Sequence, residues 1–66
     1  MKTKNIYDGK GQYIGYINQT NSHGNCYDKH GKMIGKWIKL SNMTYDSSNR
    51  PYGNGNLLEA LVHNYR

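Results

Sequence analysis

The sequence predicts a mainly β fold: two to three tandem β-hairpin repeats forming an antiparallel sheet, with one short C-terminal α-helix. Three observations carry this. A short pattern containing Tyr-Asp recurs along the chain. Residues that favour strands flank its copies. After Asn56 the apolar spacing changes from strand-like to helical.

The pattern is Tyr-Asp-x-x-Gly-x-x-apolar-Gly. It runs from Tyr7 to Gly15 and again from Tyr27 to Gly35, with a weaker copy from Tyr45 to Gly53. An Asp followed three residues later by Gly is a turn with a mechanism. The carboxylate accepts backbone N–H groups inside the turn, and the Gly takes a positive φ. Between strands, this reads as a type I turn followed by a left-handed residue in a bulge. Asn49 stands where the third copy should have Gly, and Asn is the next residue type to tolerate that conformation.

The flanks are rich in Ile, Tyr, Trp and Thr, which suit a pleated, half-buried surface. The hairpins are expected over about 4–18, 24–40 and 43–54. Strict alternation would put Tyr13, Gly15 and Ile17 on one face of the first hairpin's second strand, and Ile14 and Tyr16 on the other. The second hairpin matches, with Met33, Gly35 and Trp37 against Ile34, Lys36 and Ile38. Lys36 marks the latter as the wetter face. Gly15, Gly35 and Gly53 are expected to let an aromatic ring from a neighbouring strand lie across them. Pro51 lacks a ladder donor and marks an edge strand.

Leu57, Leu58, Leu61, Val62 and Tyr65 fall on one face of a helix over about 57–65. Asn56 is a candidate N-cap, with Glu59 three residues on as a near capping box. His63 and Arg66 suit the negative end of the helix dipole. So short a helix needs a sheet or a sister subunit to pack on.

The 66 residues make one domain with no Phe, one Trp and seven Tyr. A chain this small buries only about 60% of its unfolded surface, and Tyr hydroxyls need partners or water. A homo-oligomer is therefore expected. Met1-Lys2-Thr3-Lys4 leads into no apolar run, and no stretch approaches the ~20 apolar residues of a membrane span. With the single Cys26, this predicts a cytoplasmic protein without membrane contact.

The Tyr-Asp-x-x-Gly-x-x-Ile-Gly units resemble those of the small bacterial four-fold beta-flower proteins, whose tandem hairpins often end in an Ala/Leu-rich segment. The resemblance covers roughly residues 4–62, with Leu57–Val62 as that last segment. It implies a hairpin-repeat sheet and brings no catalytic residues to carry over. This chain has two full repeats and a shortened third, so the resemblance implies a sheet completed between chains.

The net charge is +5. The acids are Asp8, Asp28, Asp46 and Glu59, each with a turn or helix-start role, so the cations face little competing negative charge. Lys10, Lys29, Lys32 and Arg50 gather in or beside the turns and would form one basic rim if the hairpins run side by side. Cations hold phosphates and rings stack on bases, with Tyr13, Tyr52 and Trp37 as the candidate stacking residues. The bland alternative is that these lysines keep turns and edges soluble.

His23-x-x-Cys26-x-x-x-His30 has residue types that zinc favours, but its spacing fits no standard finger. A buried Cys and two loop histidines are expected instead, with no metal and no cofactor. No nucleophile–base pair with an orienting group, no paired carboxylates and no phosphate loop are visible. Gly9-Lys10-Gly11 belongs to a hairpin turn. The chain is thus expected to be a non-enzymatic binding protein that sequesters a phosphorylated ligand, a nucleotide or nucleic acid. Its small, basic, Asn- and Lys-rich character extends this to a phage-type accessory or anti-defence role. The alternative is a protein-interaction module or inhibitor that blocks a host partner enzyme.

Overall fold

The three repeats fold as three successive hairpins. The computed structural model describes residues 2–65. Its strands are β1 (Lys2–Tyr7), β2 (Tyr13–Gln19), β3 (His23–Asp28), β4 (Met33–Ile38), β5 (Met43–Asp46) and β6 (Pro51–Asn54), followed by α1 (Leu58–Tyr65). The strands pair antiparallel in chain order, so the sheet is a meander with β1 and β6 outermost. β1 starts earlier than the repeat suggested because Lys2 and Thr3 pair with Gln19 and Asn18. The outer strands carry Lys2, Lys4 and Pro51, residues that discourage edge-to-edge pairing.

The three turns share one construction. Asp8 Oδ1 accepts the N–H groups of Lys10 and Gln12 at 2.8 and 2.9 Å. Asp28 does the same for His30 and Lys32, and Asp46 for Ser48 and Arg50. The Lys32 N–H holds the Asp28 carboxyl below its ordinary range, and the Arg50 N–H does so for Asp46. Gly11, Gly31 and Asn49 take the left-handed conformation at φ 80°, 85° and 65°. A Cβ at Gly31 would meet nothing within 4 Å, so the demand there is purely conformational. Gly31→Val should therefore lower stability by roughly 1–2 kcal/mol, whereas Asn49→Gly should be neutral or stabilising. Thermal melts check both, and an unchanged Gly31→Val melt would contradict the turn's role.

Strict alternation fails at one position in each hairpin. Ile6 faces Gly15 while Tyr7 faces Tyr13, which leaves Ile14 as an extra residue on β2. Ile34 and Tyr52 are the equivalent extra residues on β4 and β6. Each is a β-bulge, which re-aims a side chain and bends the strand. The expected assignment of Ile14 and Ile34 to the wetter face is thereby corrected. Both are buried in the same core as Ile6, Ile17 and Cys26.

That core lies between the sheet and α1, which packs on β2, β3 and β4. Leu58, Leu61 and Val62 supply its helical side. Gly35 and Gly53 make room for this helix, and Gly15 for the β3 backbone as well, not for a neighbouring aromatic ring. A Cβ at Gly53 would meet Leu57 at 2.5 Å and one at Gly35 would collide with Leu61, whereas one at Gly15 would collide first with the Tyr27 carbonyl of β3 and then meet Val62 at 3.1 Å. The helix thus covers the sheet of its own chain.

Thr44 secures the helix start. It is fully buried, donates its hydroxyl to Gly55 O at 2.6 Å and accepts the Leu57 N–H at 2.9 Å. Asn56 Oδ1 accepts the Leu58 N–H, as an N-cap should. Glu59 does not close the expected capping box by any bond seen here: its carboxylate pairs with Lys4 on β1. His63 occupies the last helical turn, and Arg66 lies outside the described residues.

Candidate functional site

Antiparallel order puts the three Asp turns at one end of the sheet, so Lys10, Lys29, Lys32 and Arg50 are brought to that end as expected. All four are exposed. Arg50 Nε lies 3.6 Å from Asp46 Oδ2 with its side chain 78% exposed, a pairing too solvated to withhold the guanidinium from another anion.

The stacking candidates are less unified. Tyr13 lies at the turn end, its ring meeting Tyr7 edge-on at 5.9 Å. Tyr52 is the bulge residue of β6 and its hydroxyl accepts Asn64 Nδ2 of the helix at 2.9 Å, so it belongs to the helix side. Trp37 lies toward the opposite end of β4. It packs partly against the core, and its Nε1 donates to Asn42 Oδ1 at 3.3 Å. Trp37 and Tyr52 therefore do not join Tyr13 in one aromatic patch.

A cleft of about 610 Å³ opens on the helix side at the turn end, bordered by Asp8, Tyr13, Asp28, Lys29, His30, Val62 and Tyr65. It sets the Lys29 cation beside two carboxylates, each of which accepts two backbone N–H groups of its turn. The opposite sheet face differs in kind. Ile6, Cys26 and Thr44 point into the core, so alternation puts Tyr7, Tyr27 and Tyr45 on the uncovered side. Tyr16, between Gly15 and Ile17, joins them. Tyr16 and Tyr27 stack at 4.7 Å with their planes 14° apart. Register then carries a row Thr3–Asn18–Asn25–Lys36–Tyr45–Pro51 across the whole sheet.

The acids stay off this face. Asp8 and Asp28 border the helix-side cleft, Asp46 follows Tyr45 by one residue in β5, and Glu59 is on the helix. The first Tyr of each repeat was missed as a surface residue although alternation from its apolar neighbour would have found it. The bulges hid this, because they made the inward residues of the second strands look scattered over both faces.

His23, Cys26 and His30 are not brought together. His23 begins β3 and His30 lies in the turn beyond its other end, with roughly 17 Å of strand between these ends. Cys26 is fully buried, and desolvation pushes its thiol up to about 12. Among the described residues no group of three or more potential ligands is placed to hold a metal ion. No described helix is long and apolar enough to cross a membrane.

The fold defines an open, six-stranded antiparallel meander with a helix on one face and a tyrosine-rich surface on the other. Compared with known proteins, the chain matches no family model, no curated protein and no solved structure.

Proposed function

We propose that the protein is a non-enzymatic binder of a phosphorylated ligand, a nucleotide or nucleic acid, held at the turn end by Lys10, Lys29, Lys32 and Arg50. The observation that supports this most is the separation of charge. Each turn Asp directs one carboxylate oxygen to two backbone N–H groups. The cations beside them are exposed and carried on a framework made rigid by those bonds. A chain of net charge +5 attracts polyanions at long range. The kinship with the four-fold beta-flower proteins is part of the same proposal and rests on the three repeated Tyr-Asp turns.

Binding should weaken as salt rises, because cations that replace counterions on phosphates give a salt-dependent affinity. Lys32→Glu with Arg50→Glu should lower affinity about tenfold or more without moving the melt. The measurement is titration calorimetry against mono-, cyclic and oligonucleotides at two salt concentrations. No binding across that panel at low salt, with the protein folded, would turn the reading to an acidic protein partner.

A further inference from the structure

We propose that the ligand is a single-stranded nucleic acid, lying across the strands on the sheet face opposite the helix. Its bases rest against Tyr7, Tyr13, Tyr16, Tyr27 and Tyr45, and Lys36 and the basic turn end hold its phosphates. This rests on the phosphate reading above and adds a surface, a ligand class and a direction of binding.

The face has the chemistry of such a ligand. Its rings rise from four of the six strands, and Lys36 lies in the cross-strand row beside Tyr45. Asn5, Asn18 and Asn25 add amide donors and acceptors on the same side. Aromatic rings take unpaired bases of any sequence, while cations follow the backbone. The Tyr16–Tyr27 pair stacks at 4.7 Å as one half-buried aromatic platform on this face. Tyr7 is 52% exposed at the turn end and meets Tyr13 edge-on, and Tyr13, 39% exposed, also borders the helix-side cleft.

Charge complementarity selects among occupants. The face carries Lys36 and no acid and ends at the turns that bear Lys10, Lys32 and Arg50, while Lys29 lines the helix-side cleft with Asp8 and Asp28. A second copy laid face to face would bring a second Lys36 to the interface and no carboxylate to pair with either. A polyanion supplies the missing charge. A duplex hides its base faces inside the stack, so only an open strand can use the rings. From β1 to β6 the face spans roughly 24 Å, more than one nucleotide can cover.

The test uses the intact protein at low salt with four probes: an oligothymidylate and an oligouridylate of about ten nucleotides, a DNA duplex of that length, and thymidine monophosphate. A single strand should bind about a hundredfold tighter than the mononucleotide and about tenfold tighter than the duplex. Tyr45→Leu and Tyr7→Leu should each weaken it about tenfold, and Tyr45→Phe should restore it. Tyr7 is exposed, so its variant serves even if Tyr45→Leu melts early. In NMR spectra the five ring systems should shift while the Trp37 indole N–H, on the helix side, stays in place. Equal affinity for mononucleotide and single strand, or tighter duplex binding, overturns this inference and leaves the phosphate reading intact. Shifts confined to Tyr52, Tyr65 and Trp37 overturn it in favour of the helix side. Concentration-dependent ring shifts without nucleic acid, alongside a dimeric mass and no gain for the single strand, overturn it in favour of a second copy. No binding by any probe removes both readings.

Discussion

Gly35→Val should melt far below the parent protein, by about 12–24 °C, which corresponds to roughly 3 kcal/mol or more in a domain this small. The reason is spatial. Gly35 has no positive φ, yet a Cβ there would collide with Leu61, lie 2.9 Å from Tyr45 O and 3.3 Å from Cys26 Sγ. The carbonyl belongs to the neighbouring strand of the ladder and Cys26 is fully buried, so neither has room to yield. Valine would push the helix off the sheet or break the β4–β5 pairing. Gly53→Ala is the control, because its Cβ would meet only Leu57 side-chain atoms, with Cδ1 at 2.5 Å, which can swing away. Differential scanning calorimetry on the two variants decides. A Gly35→Val protein that melts with the parent would show that the helix does not rest on that glycine.

Thr44→Val is nearly the same shape and should cost about 2–6 kcal/mol. It leaves the Leu57 N–H and the Gly55 carbonyl without their partner, at roughly 1–3 kcal/mol each. Those bonds tie β5 to the segment leading into α1, so the loss should appear first as helix detachment. Thr44→Ser keeps both bonds and loses one methyl, at about 1 kcal/mol. Urea unfolding of the three proteins tests the idea. Serine as damaging as valine would mean that packing, not the hydroxyl, holds the helix start.

Much of the architecture was legible. The Asp and Gly positions of the repeat are a local code: an Asp carboxylate and a residue at positive φ act within a few residues of each other, so sequence reports them directly. All three turns therefore stand where the pattern put them, including the Asn49 variant. The helix start near Asn56 was legible for the same reason. The gathering of Lys10, Lys29, Lys32 and Arg50 followed from counting hairpins, since antiparallel order sends every Asp turn to the same end.

The surfaces were not legible, because facing depends on bulges. Ile14, Ile34 and Tyr52 each occupy an extra position opposite a regular strand. One added residue reverses the side on which all preceding side chains fall, so period-two reading misplaced Ile14 and Ile34. Tyr52 and Trp37 were grouped with Tyr13 as rings for a basic rim, but Tyr52 bonds Asn64 of the helix and Trp37 bonds Asn42 toward the other end of the sheet.

By itself, then, the sequence determined what local chemistry can encode: three Asx turns, two to three hairpins in tandem, a C-terminal helix and a basic turn end. Only the tertiary structure decided which face of the sheet the helix covers, that Gly35 and Gly53 make room for the helix, that Thr44 fastens its start and that the first tyrosine of each repeat is left on the uncovered face. Those features arise from contacts between residues far apart in the chain, such as Gly35 with Leu61 or Thr44 with Leu57. Their physical basis is steric fit and the pairing of buried polar groups, and neither exists until the helix has docked on the sheet.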